Sequence, residues 1–209
     1  FNFLASHDGI GLNPLRGILP ESEILSLVEK LQQEGALVNW KNNPDGTRSP
    51  YEINVTYLDA LSLRDSSDDE RIARFILAHA VLLSFPGVPA VYIQSILGSR
   101  NDYEGVERLG YNRAINRKKY TAGQVDRELN NNKSIRYQIY SRLSELIAIR
   151  RGERAFHPDS QAIFDAIGEH ILKIVRVAEN GERMTALFNF SNKMQTVYGQ
   201  TLFGRELLS

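Results

Sequence analysis

A long, almost wholly apolar helix is the strongest structural signal in this sequence. Residues 68–85 (DDERIARFILAHAVLLSF) open with three acids, which suit a helix N-terminus, and then become so apolar that the helix must be deeply buried. PGVPAVYI (86–93) breaks the helix and predicts a short apolar strand, and residues 1–6 predict another. Strand, helix and strand in this order favour a parallel α/β unit, in which ligands bind at the carboxyl ends of the strands.

Two further helices and two irregular stretches accompany this unit. The segment from Pro20 to Gly35 places apolar residues at helical spacing, and residues 133–151 form a second amphipathic pattern. Residues 36–50 are expected to form a long loop around the turn sequence N-P-D-G. Residues 94–132 are polar and are also expected to be irregular.

The pattern changes to short β-rich segments after residue 158. QAIFDAI, HILKIVRVA, RMTALFNF and QTVYGQ are separated by turns, which predicts an antiparallel β module. We therefore expect two domains, an α/β domain over residues 1–152 and an all-β antiparallel domain over residues 153–209. The second domain is expected to be incomplete, because its last residues, LFGRELLS, offer no clear closing strand.

Composition narrows the classes of function. The 25 basic and 25 acidic side chains give a formal net charge of zero, which argues against nucleic acid as a partner. No cysteine is present, so disulfides and thiolate metal sites are excluded. Neither a membrane span of roughly 18 apolar residues nor a leader pattern is found, and we expect a cytoplasmic protein. Because Phe1 is not a start methionine and the sequence opens within a strand pattern, we expect a part of a longer chain.

The predicted first strand ends on His7 and Asp8, which are followed by Gly9 and Gly11. A His-Asp pair at the carboxyl end of a strand suits a site where the chain turns sharply and a ligand comes close. The structural alternative has equal weight: Asp8 caps a turn and His7 forms a hydrogen bond within the fold. A dipeptide alone does not decide between the two.

Several ordered strings together resemble a known family. FNFLASHDGIG, YEINVTYLDAL, FPGVPAVYIQSILGSRND and GYNRAINR resemble the α-amylase superfamily of (β/α)8-barrel glycosidases, and within it the sucrose-phosphorylase-like branch. The first string is similar to the motif at the end of the seventh barrel strand, and Pro-Gly-Val-Pro to the approach to the eighth. The resemblance covers the whole chain. It implies the C-terminal part of a (β/α)8 TIM barrel over residues 1–152, followed by the all-β C-terminal domain.

The resemblance implies roles for three residues. Asp8 would be the catalytic transition-state stabiliser, a carboxylate that favours the positive charge developing at C1 of the sugar. His7 would donate a hydrogen bond to a hydroxyl of that sugar, and Arg113 would hold the far edge of the glucose. The structural alternative for Arg113 is an ion pair that pins its own loop.

The segment 36–54 resembles the mobile loop that shapes the acceptor subsite in this branch. It offers two cations, an aromatic platform and two polar residues at its end: Lys41, Arg48, Trp40, Tyr51 and Glu52. A phosphate or an acidic acceptor would need such cations, or backbone amides, to hold it. For each residue taken singly, a solvated turn is the stronger interpretation, so the prediction concerns the loop as a whole.

Other polar residues have plainer interpretations. His79 lies in the apolar helix and is interpreted as a core histidine, and His157 and His170 as structural residues near or in the β module. The acids at 68–70 are interpreted as a helix start, and no metal-ligand cluster is expected. The long loop before Arg113 also holds three residues that could line a pocket: Asn101, Asp102 and Glu104.

The implied activity is that of a retaining α-glucoside phosphorylase, which moves a glucosyl group to phosphate by double displacement and gives α-glucose 1-phosphate. Candidate donors are sucrose, sucrose phosphate, glucosylglycerate and glucosylglycerol, and Lys41 and Arg48 favour a donor with an acidic acceptor part. The partners are then a small α-glucoside and phosphate as co-substrate, with no cofactor, and a homodimer is allowed. Two alternatives stay open: an α-amylase-type hydrolase, and a catalytically dead carbohydrate-binding module.

The same resemblance places the nucleophile and the general acid/base on barrel strands four and five, outside this sequence. We therefore expect the 209 residues to need the missing N-terminal half of the barrel for activity. Two barrel strands cannot close a barrel and would leave unpaired edges. The isolated chain is thus expected to be inactive and prone to aggregation.

Overall fold

The computed structural model describes residues 1–198 and 206–207. Within them the helices are α1 (Glu21–Gln33), α2 (Tyr57–Ala60), α3 (Asp68–Ser84), α4 (Ile93–Ile96), α5 (Tyr103–Leu109), α6 (Ala122–Leu129) and α7 (Ile135–Gly152). The strands are β1 (Asn2–Phe3), β2 (Ile10–Gly11), β3 (Leu37–Asn42), β4 (Arg48–Asn54), β5 (Pro89–Ala90), β6 (Gln161–Ile167), β7 (Ile171–Val177) and β8 (Arg183–Asn189). Single 3-10 turns lie at Asn13–Leu15, Asn112–Asn116 and Arg154–Phe156.

The elements group into two compact units. One unit consists of residues 3–76 and 91–142, and the other of residues 1–2, 77–90 and those from 143 onward. The units do not divide at residue 152, and the domain boundary placed there from the sequence stays a prediction. None of the helices in the described residues is long and apolar enough to cross a membrane.

The unit of residues 3–76 and 91–142 has its core between α1 and a small antiparallel sheet in the order β2-β4-β3. The core cluster is Leu12, Ile24, Val28, Leu31, Ala36, Ile53 and Val55. α1 begins with Glu21 and Glu23 in its first turn, where negative charges interact favourably with the helix dipole. It ends before Gly35, whose φ of 104° suits glycine. The predicted helix from Pro20 to Gly35 is thus confirmed.

β3 and β4 form a hairpin, so the expectation of a loop over residues 36–50 is wrong. Only its N-P-D-G turn was correctly predicted: the Asn43 N–H donates to the Thr47 carbonyl at 2.8 Å, and Gly46 has a φ of 82°. A register shift between Asn39 and Trp40 interrupts the regular alternation of the strand. The exposed, polar end of β3 also lacks the apolar pattern by which strands are recognised.

β6, β7 and β8 form an antiparallel sheet in sequence order, which confirms the predicted β module. Residues 195–198 of the string QTVYGQ form no strand, so that part of the prediction is wrong, and residues 199–200 lie outside the described residues. In the centre of this unit Arg176 of β7 is completely buried and donates hydrogen bonds to four backbone carbonyls: those of Ser84, His157, Ser160 and Gln161.

The two predicted apolar strands are shorter than expected. β1 and β5 have two residues each and pair with one another, and the Asn2 N–H donates to the Val88 carbonyl at 2.9 Å. Pro86 and Pro89 lack the N–H that a longer ladder needs, and α4 begins already at Ile93. The apolar helix is confirmed as α3 and the pattern at 133–151 as α7. The expected deep burial of α3 holds for only part of it, because residues 76–78 and 80–81 are half-buried.

The region 94–132 is less irregular than expected, because α5 and α6 lie in it. Each has eight residues or fewer, too short to show a clear apolar period. α6 is defined by a capping box, in which Thr121 accepts from the Gln124 N–H and the Gln124 side chain accepts from Thr121. The acids at 68–70 begin α3 as predicted, and Ser67 and Glu70 cap it reciprocally.

Candidate active site

His7 and Asp8 lie between β1 and β2, in a stretch without regular secondary structure. The Asp8 N–H donates to Ser6 Oγ at 3.1 Å, which gives the chain a local turn. His7 Nε2 is 3.7 Å from Asp8 Oδ2, and the two side chains are 68% and 38% exposed. Both side chains are therefore accessible from solvent. The turn is closed by the Ser6 hydroxyl and not by the side chain of Asp8, which differs from the cap expected as the structural alternative.

Gly9 is required by a close approach of two chain segments. A Cβ at this position would lie 2.8 Å from Glu52 Cγ and 2.9 Å from the carbonyl carbon of Ile53, both in β4. The Gly9 N–H donates to Glu52 Oε1 at 3.2 Å. The glycines were expected to let a ligand come close; at Gly9 the neighbouring strand occupies that space, and a ligand contact stays a prediction. At Gly11 the nearest atom, of Pro14, is 4.0 Å away.

Arg113 joins the two carboxylates of the site. Its Nε and Nη2 lie 3.0 Å from Glu52 Oε2 and Oε1, and its Nη1 lies 2.9 Å from Asp8 Oδ1. The hydrogen bond and negative charge of Glu52, followed by the charge of Asp8, raise the pKa of Arg113 above its usual value. The ion pair expected as the structural alternative for Arg113 is thus present, and it includes the predicted catalytic residue.

Glu52 is 4% exposed and faces the interior side of β4. Both of its carboxylate oxygens are engaged, because Asn39 Nδ2 donates to Oε2 at 2.7 Å in addition to Gly9 and Arg113. These are the contacts of a residue that positions Arg113. Direct substrate binding by Glu52 stays a prediction.

Two residues of the site were missed from the sequence, Asn116 and Arg117. Asn116 Nδ2 donates to the Ser6 carbonyl at 2.8 Å, and Arg117 Nε donates to the His7 carbonyl at 2.7 Å. Arg117 Nη2 is also 3.3 Å from Asp8 Oδ1. The one available signal was the second arginine of GYNRAINR, four residues after Arg113.

The hairpin residues are separated into two groups. Tyr51 is half-buried beside Glu52. Lys41 and Arg48 are exposed near the turn, and Arg48 lies four positions before Glu52 along the strand, a distance of about 13 Å. Trp40 is 39% exposed and lies opposite Pro50. The structure therefore does not bring the two cations into contact with Asp8.

A groove of about 320 Å³ lies beside Arg113. It is lined by Asn39, Gly110, Tyr111, Asn112 and Arg113. Asn112 Nδ2 donates to Asn39 Oδ1 at 2.8 Å, so the amides of the groove are fixed to one another. Amide and guanidinium donors next to a phenol ring suit a hydroxyl-rich or anionic ligand.

Other candidate residues lie elsewhere. The Asn101 side chain accepts a hydrogen bond from the Thr56 N–H, and Asp102 is buried at the start of α5. Neither residue is among those that line the groove. Glu104 is exposed on the same helix. His79 is 1% exposed in α3, as expected of a core histidine. His157 and His170 are exposed. In the part of the chain that the structure describes, no three metal-ligating side chains lie together.

Similarity to known proteins extends along the chain. It is 68% identical over all 209 residues to glucosylglycerate phosphorylase of Escherichia coli (strain K12), covering 37% of that protein. It is 38% identical to glucosylglycerate phosphorylase of Spirochaeta thermophila over 97% of the chain and 35% of that protein. No model of a protein family matches. The chain thus spans little more than a third of the length of these relatives.

A solved structure is also similar. The crystal structure of sucrose 6F-phosphate phosphorylase from Thermoanaerobacter thermosaccharolyticum matches with a TM-score of 0.62 and 26% sequence identity. The match covers 88% of this chain and 40% of that one. It confirms the predicted fold class, the C-terminal part of a (β/α)8 barrel followed by an antiparallel β module.

Proposed function

Because the chain belongs to the sucrose-phosphorylase-like branch of the α-amylase superfamily, we propose that it is part of an enzyme that phosphorolyses glucosylglycerate. The reaction transfers the glucosyl group to inorganic phosphate and releases α-glucose 1-phosphate and glycerate. The observation that carries the proposal is the 68% identity over 209 residues to a glucosylglycerate phosphorylase. Sucrose, sucrose phosphate and glucosylglycerol are the competing donors.

In this reaction Asp8 acts on the sugar in its transition state. Glycosyl transfer passes through an oxocarbenium-like state with positive charge at C1 and O5. A half-exposed carboxylate held at 2.9 Å by Arg113 can accept hydrogen bonds from the sugar hydroxyls and stabilise that charge. His7, 68% exposed, is available to donate to a hydroxyl of the same sugar.

The bond-making groups come from another part of the enzyme. A retaining mechanism needs a nucleophile and an acid/base about 5 Å apart, and the family resemblance implies that both belong to barrel strands four and five. We propose that the 209 residues alone turn over no glucoside, because they supply Asp8 but neither of these groups. Adding the preceding part of the barrel should restore activity.

The hairpin of β3 and β4 is the proposed acceptor side of the site. Its tip carries Lys41 and Arg48, both exposed, and the carboxylate of glycerate and incoming phosphate are both anions. Cations on this hairpin would attract either anion without touching Asp8. The acceptor preference is therefore assigned to the hairpin as a whole.

The test is a product assay on the full-length enzyme. Glucosylglycerate, sucrose and sucrose 6F-phosphate are each supplied with and without phosphate, and glucose 1-phosphate and free glucose are both measured. Phosphate-dependent glucose 1-phosphate from glucosylglycerate, lost in the Asp8→Asn variant, is the expected result. Free glucose at a rate independent of phosphate would identify a hydrolase, and no turnover of any donor would identify a binding module.

A further inference from the structure

Two neighbouring side chains, Asn116 and Arg117, hold the backbone around Asp8. Asn116 Nδ2 donates to the carbonyls of Ser6 and Asp8 at 2.8 and 3.3 Å. Arg117 Nε donates to the carbonyl of His7, which lies between them, at 2.7 Å. Three successive carbonyls thus accept hydrogen bonds from one dipeptide about 110 residues further along the chain.

These bonds replace the support that regular secondary structure would give. Residues 4–9 belong to no strand or helix, so no sheet ladder fixes the direction in which Asp8 points. Each captured carbonyl orients one peptide plane, and three consecutive planes determine where the carboxylate emerges. The position of Asp8 therefore depends on Asn116 and Arg117.

Arg117 also acts on the carboxylate itself. Its Nη2 is 3.3 Å from Asp8 Oδ1, the oxygen that Arg113 Nη1 contacts at 2.9 Å. The planar fork of one guanidinium therefore holds a backbone carbonyl and the neighbouring carboxylate together, which a lysine cannot do in the same geometry. Oδ1 is fixed between two arginines, and Oδ2 faces His7.

The dipeptide follows a buried segment. Asn116 is 4% exposed and ends the 3-10 turn Asn112–Asn116, in which Ala114 and Ile115 are also buried. The Tyr92 hydroxyl donates to the Asn116 carbonyl at 3.1 Å. Burial raises the pKa of that tyrosine, with Arg117 opposing the shift, so the donor stays protonated.

We propose that Asn116 and Arg117 are positioning residues that aim the carboxylate of Asp8 at the reacting sugar. The inference rests on the proposed function, in which Asp8 stabilises the transition state. A carboxylate turned away from C1 loses its interaction with the positive charge that develops there, and this charge exists in the transition state but not in the ground state. Loss of Arg117 should therefore lower kcat and leave KM nearly unchanged.

The test is a double-mutant cycle in the full-length enzyme with phosphate and its best donor. Arg117→Gln should lower kcat about 30-fold and Arg117→Lys about fivefold, with KM within about threefold of the wild type. In an Asp8→Asn background, Arg117→Gln should lower kcat by less than about threefold, because the carboxylate that Arg117 positions is already absent. Arg108→Gln, an exposed arginine of α5, is the matched control and should leave kcat unchanged.

Full additivity of the two substitutions, or an unchanged kcat in Arg117→Gln, would overturn the proposal. Asn116→Asp, which removes the amide donor at nearly constant size, gives a second cycle if Arg117→Gln fails to fold, with the same expectation. Wild-type enzyme that releases glucose in place of glucose 1-phosphate would refute the phosphorylase activity alone. The cycle would then be measured on glucose release and would still decide the roles of Asn116 and Arg117.

Discussion

Glu52 holds the guanidinium of Arg113 with both of its carboxylate oxygens, at 3.0 Å each. The pair joins β4 to the 3-10 turn Asn112–Asn116 and leaves Nη1 of Arg113 for Asp8. Because Glu52 is buried while Asp8 is half-exposed, the two carboxylates differ in role although they share one arginine. The buried carboxylate fixes the arginine, and the exposed one is accessible from solvent.

Glu52→Gln should lower kcat/KM about 10- to 100-fold, because the neutral amide cannot hold Arg113 by two charge-assisted bonds. Arg113 would then turn toward Asp8 or solvent and lose its fixed direction. Steady-state kinetics of the full-length enzyme measure the effect. Glu107→Gln, an exposed acid of α5, controls for the loss of one negative charge. Wild-type kinetics in Glu52→Gln would show that Arg113 is held by other means.

Gly9→Ala should lower the free energy of unfolding by about 1–3 kcal/mol, because the new methyl group meets the backbone of β4. It should also reduce kcat, since the displaced segment carries Asp8. Urea denaturation and steady-state kinetics measure the two effects. Gly11→Ala is the matched control: its nearest neighbour is 4.0 Å away, so both quantities should stay near wild type. Equal behaviour of the two variants would contradict the close approach at Gly9.

The turn of the hairpin should be sensitive to acid. Hydrogen bonds from the hydroxyl and N–H of Thr47 lower the pKa of Asp45 below its ordinary 3.8. A carboxyl group whose pKa is lower in the folded state stabilises that state above the unfolded pKa, and the contribution is lost as pH falls through the folded pKa. Thr47→Val should move the pKa of Asp45 back toward 3.8, as followed by NMR titration. Thr185→Val on β8 should leave it unchanged, and an equal shift in both variants would refute the assignment.

Arg176→Met should lower the free energy of unfolding by about 2–4 kcal/mol, because it removes a buried donor from four backbone carbonyls, of which that of His157 keeps the Ser160 N–H. Chemical denaturation of the full-length protein measures the loss. Arg183→Met on β8 removes an exposed arginine of the same unit and should change stability little. A stability loss in Arg176→Met no larger than in this control would mean that water satisfies the carbonyls.

The long elements were predictable because their patterns repeat over several turns or strands. α1, α3 and α7 each show apolar residues at helical spacing, and the β module shows short β-rich segments between turns. α6 depends on a cap at Thr121, and β3 on hydrogen bonds to β4 at an exposed edge. Such features depend on single contacts, and a periodic pattern does not report them.

The site was predictable only in part, for a related reason. Asp8 and Arg113 were found through family resemblance, and the structure places them 2.9 Å apart. Asn116 and Arg117 act on backbone carbonyls about 110 residues away, and a carbonyl has the same chemistry in every residue. No side-chain pattern can therefore mark their partners in advance.

The tip and the base of the hairpin of β3 and β4 can be redesigned separately. Its tip, with Lys41 and Arg48, is exposed, whereas its base holds Glu52 and through it Arg113. If the hairpin is the acceptor side as proposed, exchanging residues 41–48 between related enzymes should change which acceptor is preferred while Arg113 and Asp8 keep their geometry. Exchanging the whole hairpin would also replace the partner of Arg113, so a new acceptor preference would come with a slower enzyme.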